Sequence, residues 1–325
     1  MNDTAKQRSA GPRLAADQVS YVTVGPDAAG QRLDNFLLRL AKGVPQSHVY
    51  RIVRSGQVRV NKARASVDRR LAEGDQVRIP PMRVAAPARP PVRGQMPPVL
   101  FEDEHLIVVD KPAGLAAHGG SGIAHGLIEL VRAARPNQPF LELAHRLDRE
   151  TSGVLLLAKT RRALLGLHEQ LREGQIDKRY LALVAGDWVN DRQHVRLALA
   201  KRIIGSGERR VAVDEDEGLA AHTVFNLRHR YGEFSLLEAE LKTGRTHQIR
   251  VHLAHVGFPI VGDDKYGDFE LNRRVARGEF GVPFRRMFLH AWATRFRHPV
   301  GGQPMAIESA LDRECCDFLR GLGRA

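Results

Sequence analysis

A carboxylate between two guanidinium groups is the first candidate for chemistry in this chain. Asp148 lies between Arg146 and Arg149 in HRLDRETSGVLLLAKT, residues 145–160. The segment is polar up to Ser152 and then apolar, so the acid sits on a turn that feeds a strand. A loop carboxylate carried by a rigid element is well placed for catalysis, although a lone Asp also suits a turn it organises itself. Flanking cations suit an acid that works as an anion. A second cationic segment, LKTGRTHQIRVHLAHVG at 241–257, offers Arg245 and Arg250 to an anion, either a phosphate or the Asp148 carboxylate. Thr246 is expected to cap a helix there, with Ile249, Leu253 and Val256 on one face. His247, His252 and His255 raise the question of a metal. No HExxH pattern, cysteine or paired carboxylate accompanies them, so no metal is expected. Tyr180 opens an apolar strand in DKRYLALVAG, residues 177–186, and by itself reads as a tyrosine at the core edge. In DKPAGLAAHGGSG, residues 110–122, the glycines continue to Gly126 as GxGxxxG, one residue too long for a dinucleotide fingerprint; a P-loop is absent too. Lys242-Thr243-Gly244 lacks the SxxK partner of serine acyl-enzymes. No cofactor is expected.

These residues need elements to hold them. Periodicity predicts strands at 99–102, 106–110, 153–158, 179–185 and about 288–296, and a β-hairpin over 221–241. Helices are predicted near 124–134, at 161–173 and at 246–256. Irregular alternation with antiparallel hairpins indicates an α+β domain built on a mixed, largely antiparallel sheet. In front of it, 19–25 reads as a strand, and 31–42 as a helix with Leu33, Phe36, Leu37 and Leu40 on one face. Gly43 and Pro45 end that helix, Ser47 caps a second one, and Gly56 stops it. Strands in QVRVN and DQVRIP follow, with a tight turn at Gly74-Asp75. The expected organisation is a disordered tail at 1–18, a small domain at 19–82, a Pro-rich linker at 83–98 and the main domain at 99–325.

At 325 residues, two domains are a natural division. No window is apolar enough for a membrane span and the start carries no apolar leader, so a soluble, cytoplasmic chain is expected. Cys315 and Cys316 are adjacent and suit reduced thiols rather than a disulfide framework. The charge is uneven: of the formal +13, residues 1–99 carry +10. A basic module on a near-neutral body suggests a polyanion held by one part and processed by the other, although a solvated surface gives the same count. Arg51 and Arg54 lie opposite the apolar stripe of the second helix, and Arg59, Lys62 and Arg64 continue the charge. Cations at that spacing suit a nucleic-acid backbone.

The stretches RLDNFL, SHVYRIVRSGQVRVN and LAEGDQVRI, within residues 30–80, resemble the S4 RNA-binding domain. His48 stands where S4 domains often carry an Arg. From about 100 to 310, DKPAG, HRLDxxTSG, KxYxALV, TGRTHQIRVH, FLHA at 288–291 and HP at 298–299 follow one another as in the RluA superfamily of pseudouridine synthases. HGGSG, GSGERRV at 205–211 and GDDKYGD at 262–268, with the S4 domain, resemble the RluC-type branch; the RluD type also carries an S4 domain. The resemblance implies isomerisation of uridines in 23S ribosomal RNA or its large-subunit precursor, by a monomer without a cofactor. It implies Asp148 as the catalytic residue, Arg250 paired with it, and Tyr180 at the uracil. Arg146 would fill the gap left by a flipped base or hold its phosphate, and Leu289 would line the uracil pocket. Arg245 and His247, with Arg51, Arg54, Arg59 and Lys62 in front, would contact RNA. A non-catalytic ribosome-assembly or RNA-chaperone protein would fit the S4 module equally well but has no use for Asp148, Tyr180 and Arg250 together. A synthase acting on transfer RNA or small-subunit RNA is a second alternative. His145 argues against the small-subunit branch, which typically has Gly there.

Overall fold

The computed structural model describes residues 18–41, 44–82, 94–119, 125–203 and 209–323. Residues 1–17 of the expected tail, Gly43 as a helix stop, residues 83–93 of the expected linker, and parts of the HGGSG and GSGERRV segments lie outside the described residues. The contacts divide the chain into two units, Met1–Val92 and Arg93–Ala325.

In the first unit, β1 (Ser20–Thr23), β4 (Gln76–Ile79), β2 (Arg59–Val60) and β3 (Ala63–Arg64) form an antiparallel sheet in that order. Helices α1 (Leu33–Leu40) and α2 (Gln46–Arg54) place Leu33, Phe36, Leu37, Val49, Ile52 and Val53 in one core with Val60, Val77 and Ile79. Helix α1 starts two residues later than the expected 31–42 because Arg32 is extended and bridged to Arg70. The expected Ser47 cap is corrected: α2 starts from Pro45, whose ring presets φ at −58°, and Ser47 lies inside the first turn. Gly56 follows α2 with φ of +74°, a conformation suited to glycine. Arg51, Arg54, Arg59 and Lys62 are all exposed.

The second unit is organised by one ten-stranded sheet. Its path runs β10 (Arg192–Arg196), β13 (His222–Arg230), β14 (Phe234–Leu241), β9 (Asp177–Ala185), β15 (Leu289–Arg297), β8 (Ser152–Ala158), β6 (Leu106–Lys111) and β5 (Val99–Glu102). Two further strands extend it: β7 (Glu142–Leu143) pairs with β8 and β16 (Pro304–Glu308) with β15. The sheet is mixed and largely antiparallel, with a parallel pairing of β15 to β8. Strand β8 is buried on both faces, as its unbroken apolar run requires. Helices α3 (Leu127–Ala134) and α5 (Gln248–His255) share a core with one face of the sheet. Helix α4 (Arg161–Arg172) shares a core with the other. Helices α6 (Phe269–Arg277) and α7 (Arg313–Leu322) close a third cluster around Phe234, Phe284 and Phe318, and Cys315 of α7 is a buried free thiol. A separate hairpin, β11 (Leu199–Ile203) and β12 (Arg209–Val213), completes the unit. Strands β7, β10–β12 and β16 and helices α6 and α7 are elements that the sequence reading does not name.

The parallel pairing aligns His290 with Ser152 and Ala291 with Gly153. Gly153 has φ of +107°, and a Cβ there would lie 2.2 Å from the Ala291 carbonyl oxygen. Both facts require glycine at the root of the Asp148 turn. Gly153→Ala is expected to cost about 2 kcal/mol or more and to lower the melting temperature by several degrees. Thermal unfolding of the variant, unchanged from the parent, would refute this reading of the pairing.

Candidate active site

Asp148 sits on the turn before β8, where the Thr151 N–H donates to the Asp148 carbonyl at 3.2 Å. Two devices fix this turn. Behind it, Lys111 at the end of β6 is fully buried, and its ammonium donates to the carbonyls of Pro112, Leu115 and Arg149 at 2.9, 2.7 and 2.9 Å. Burial pushes its pKa down to about 7, against the opposing pull of Glu150 and Asp148. After it, the Ser152 hydroxyl meets His290 Nδ1 at 2.9 Å, and His290 Nε2 meets the Ser309 carbonyl at 2.9 Å. The Asp148 side chain therefore projects from a backbone that is tied on both sides, and it keeps 28% exposure.

Arg250, on the first turns of α5, reaches it. Its Nη1 donates to Asp148 Oδ2 at 3.2 Å, while Nε and Nη2 grip Asp263 in a bidentate pair at 2.7 Å each. The Lys265 and Tyr266 N–H groups donate to Asp263 Oδ1, so this second acid is held by the backbone as well. Burial opposes the charge on Arg250, yet the bonds and charges of Asp263 and Asp148 outweigh it and raise the arginine pKa. The guanidinium also lies 5.1 Å from the centre of the Tyr266 ring.

The start of α5 corrects the expected Thr246 cap. His247 occupies the N-cap in the left-handed region, with φ of +52° and no side-chain cap. The Gln248 side chain braces the turn before the helix, accepting from the Arg245 N–H at 3.0 Å and from the Thr243 hydroxyl at 2.7 Å. His247 is thereby turned towards the acid, with Nδ1 at 2.9 Å from the Tyr266 hydroxyl and Nε2 at 3.8 Å from Asp148.

One cavity of about 1080 Å³ lies over the Asp148–Arg250 pair. Tyr180 and Leu289 form part of its wall from the neighbouring strands β9 and β15, and both are nearly buried. Burial, and then the charge of Asp148, pushes the tyrosine pKa upward. Arg146 and Arg245 line the cavity from exposed positions, and His247 completes the set the sequence picked out in this unit. Arg51, Arg54, Arg59 and Lys62 belong to the other unit. Sequence reasoning missed Asp263 and Tyr266, although both lie in the GDDKYGD stretch. It also left Lys178, a cavity residue in the KxY strand, without a role. Among the described residues, no group of three or more His, Cys, Asp or Glu could hold a metal, and no helix is long and apolar enough to cross a membrane.

Residues 105–255, which carry Asp148, Tyr180 and Arg250, match the RNA pseudouridylate synthase family, and residues 31–77 match the S4 domain. The ribosomal large subunit pseudouridine synthase C of Escherichia coli K12 is 49% identical over 312 residues, 93% of this chain and 97% of its own. That of Yersinia pestis is 50% identical over 93% of this chain and 96% of its own. The chain belongs to the RNA pseudouridylate synthase family. Its fold is shared by human RNA pseudouridylate synthase domain containing 4, with a TM-score of 0.56, 25% identity and coverage of 69% of this chain and 92% of that one.

In this pseudouridylate synthase a buried polar chain sets the pitch of α5. Gln248 Nε2 donates to the Thr223 hydroxyl at 2.9 Å, and that hydroxyl lies 3.0 Å from His252 Nδ1. His252 Nε2 lies 3.3 Å from the Leu197 carbonyl, so the neutral tautomer protonated on Nε2 satisfies every member. Burial pushes His252 down to about 4 from its ordinary 6.5. Between those values the unfolded chain binds more protons than the folded one, so stability is full above about pH 6.5 and falls as pH drops towards 4. His145, pushed down to about 3 by burial, acts in the same direction. Melting temperature is expected to decline from pH 7 to pH 5, and less steeply in His252→Gln. The limit is about 1.4 kcal/mol per pH unit for one histidine. Parallel profiles for the two proteins would exclude His252 as a contributor.

Proposed function

We propose that this chain converts specific uridines of 23S ribosomal RNA, in the large subunit or its precursor, to pseudouridine, with Asp148 as its catalytic carboxylate. The observation that carries the reading is the shared guanidinium: Arg250 holds Asp148 at the floor of a cavity while a second acid, Asp263, holds Arg250. The reaction breaks the C1′–N1 bond of uridine, turns the uracil, joins C1′ to C5, moves the C5 proton away and restores a proton at N1. It needs no net hydrolysis or redox change. A carboxylate suits it, by attack on or stabilisation of the electron-poor C1′, or by taking a proton nearby. Arg250 keeps an opposite charge beside Asp148 and fixes its direction.

Tyr180 is buried in the wall with its pKa raised, so it acts as a neutral phenol: a surface for the uracil ring and a hydrogen-bonding partner during loss of the C5 proton. Leu289 gives the pocket an apolar side. The target base must leave its helix to reach Asp148, and the exposed Arg146 is suited to occupying the gap or holding the phosphate of the flipped nucleotide. Arg245 and His247 contact RNA at the cavity. Exposed Arg51, Arg54, Arg59 and Lys62 make salt-sensitive phosphate contacts from the S4 domain. The names of the curated relatives support the large-subunit assignment, and the chain is read as a cytoplasmic monomer acting without a cofactor.

The test is incubation of unmodified 23S transcript with the wild type and with Asp148→Asn, followed by carbodiimide-dependent reverse-transcription mapping. Stops at a few defined uridines with the wild type, and a loss of at least about 10³-fold in the variant, are expected. Stops from both proteins would remove Asp148 from its role. Salt-dependent RNA binding without stops from either would turn the reading to a ribosome-assembly protein.

A further inference from the structure

Strand β9 alternates two environments. Arg179 and Leu181 face one side of the sheet, while Lys178 and Tyr180 face the cavity, two residues apart on one strand. The two adjacent cations meet opposite fates. Arg179 is matched by Asp177, Glu238 and Glu240 at 2.8, 3.1 and 2.8 Å. Lys178 is half-buried, and among the described residues its ammonium has neither an ion pair nor a hydrogen bond. It is not the counter-charge of Asp148, because Arg250 fills that place. Its Nζ lies close to the Thr243-Gly244-Arg245 turn, where a Cβ added to Gly244 would stand 3.5 Å from it. Arg146, Arg149, Arg172, Lys242 and Arg245 line the cavity from exposed positions, whereas Lys178 is half-buried and burial lowers its pKa. A desolvated ammonium without a protein carboxylate is a cost that an anionic ligand removes.

We propose that Lys178 is a substrate-binding residue that takes a backbone phosphate of the RNA strand next to the target uridine inside the cavity. This rests on the reading of the cavity as the site of uridine isomerisation. An RNA strand is the anion that reading brings, and a phosphodiester oxygen supplies the full charge that the ammonium lacks. A uracil carbonyl would satisfy its hydrogen bonds but not its charge. Lys178 thus divides the work with Arg250: the guanidinium holds the enzyme's own acid and the ammonium holds the substrate's.

The experiment uses the full chain and a ribosomal RNA fragment containing a mapped target uridine. Filter binding is measured over a series of KCl concentrations, with Asp148→Asn in every protein so that the RNA stays unmodified. Lys178→Met is expected to weaken binding roughly ten-fold near 0.1 M salt and to reduce the slope of log affinity against log salt by about 0.7, the value for one single-strand phosphate. Lys178→Arg is expected to restore both. With Asp148 present, single-turnover conversion by Lys178→Met at saturating RNA should stay within about three-fold of the parent, so that the loss lies in KM rather than kcat. Removing an unpaired, half-buried charge should leave the melting temperature equal or higher; a fall would mark a structural role and overturn the proposal. It is also overturned by unchanged affinity and slope, by weaker binding at an unchanged slope (contact to an uncharged uracil oxygen), or by lost kcat with intact binding. Absence of conversion by the parent on any RNA would sink the isomerase reading, while the salt slope would still decide whether Lys178 meets a phosphate.

Discussion

One guanidinium joins the parts of the site. Arg250 spends two of its donors on Asp263 and a third on Asp148, and the three residues come from different places: helix α5, the loop after it and the turn before β8. A buried arginine is costly unless its donors are met by acceptors of fitting geometry. Asp263 meets that demand from one side, with backbone N–H groups fixing it in turn. The interaction with Asp148 is longer, and that acid keeps part of its surface open to the cavity. The division suits a site in which one carboxylate is structural and the other is left available.

The rest of the second unit serves that arrangement. The pitch of α5 is set by Gln248, Thr223 and His252, a fully internal hydrogen-bond chain that tolerates no added proton. The height of the Asp148 turn is set by Lys111, whose three donors are all used on carbonyls. Central strand β8, apolar on both faces, gives the turn a rigid root. The polar groups around the cavity are therefore held mostly from behind, by groups that do not line it.

The local parts of this arrangement were legible in the sequence. Asp148, Tyr180 and Arg250 each lie in a contiguous segment whose pattern changes at the residue: polar turn to apolar strand, strand edge, helix start. The α+β class followed from the same alternation. Asp263 was not legible as a site residue, because its bidentate pair with Arg250 closes through a loop whose path no periodicity reveals. Neither expected cap is used, because α2 starts two residues before Ser47, from Pro45, and α5 starts one residue after Thr246, from His247 in the left-handed region. Helix α7 did carry its signal, with Asp312 accepting from the Cys315 N–H and with Cys315, Phe318 and Leu322 buried at helical spacing. Strand β16, five residues with a mostly exposed face, carried almost none.

The order of strands has a consequence for how the molecule comes into being. Strand β15 lies between β9 and β8, so it joins two groups of strands that leave the ribosome well before it. Until residues 289–297 have been synthesised, the strand bearing Tyr180 and the strand rooted at the Asp148 turn have no strand between them to pair with. The nascent chain therefore carries its candidate catalytic acid for some 140 residues of translation without a finished pocket around it. Assembly of the site is one of the last steps in the birth of the polypeptide, and a chain released before β15 would hold Asp148, Tyr180 and Arg250 yet lack Leu289 and the strand that joins their supports.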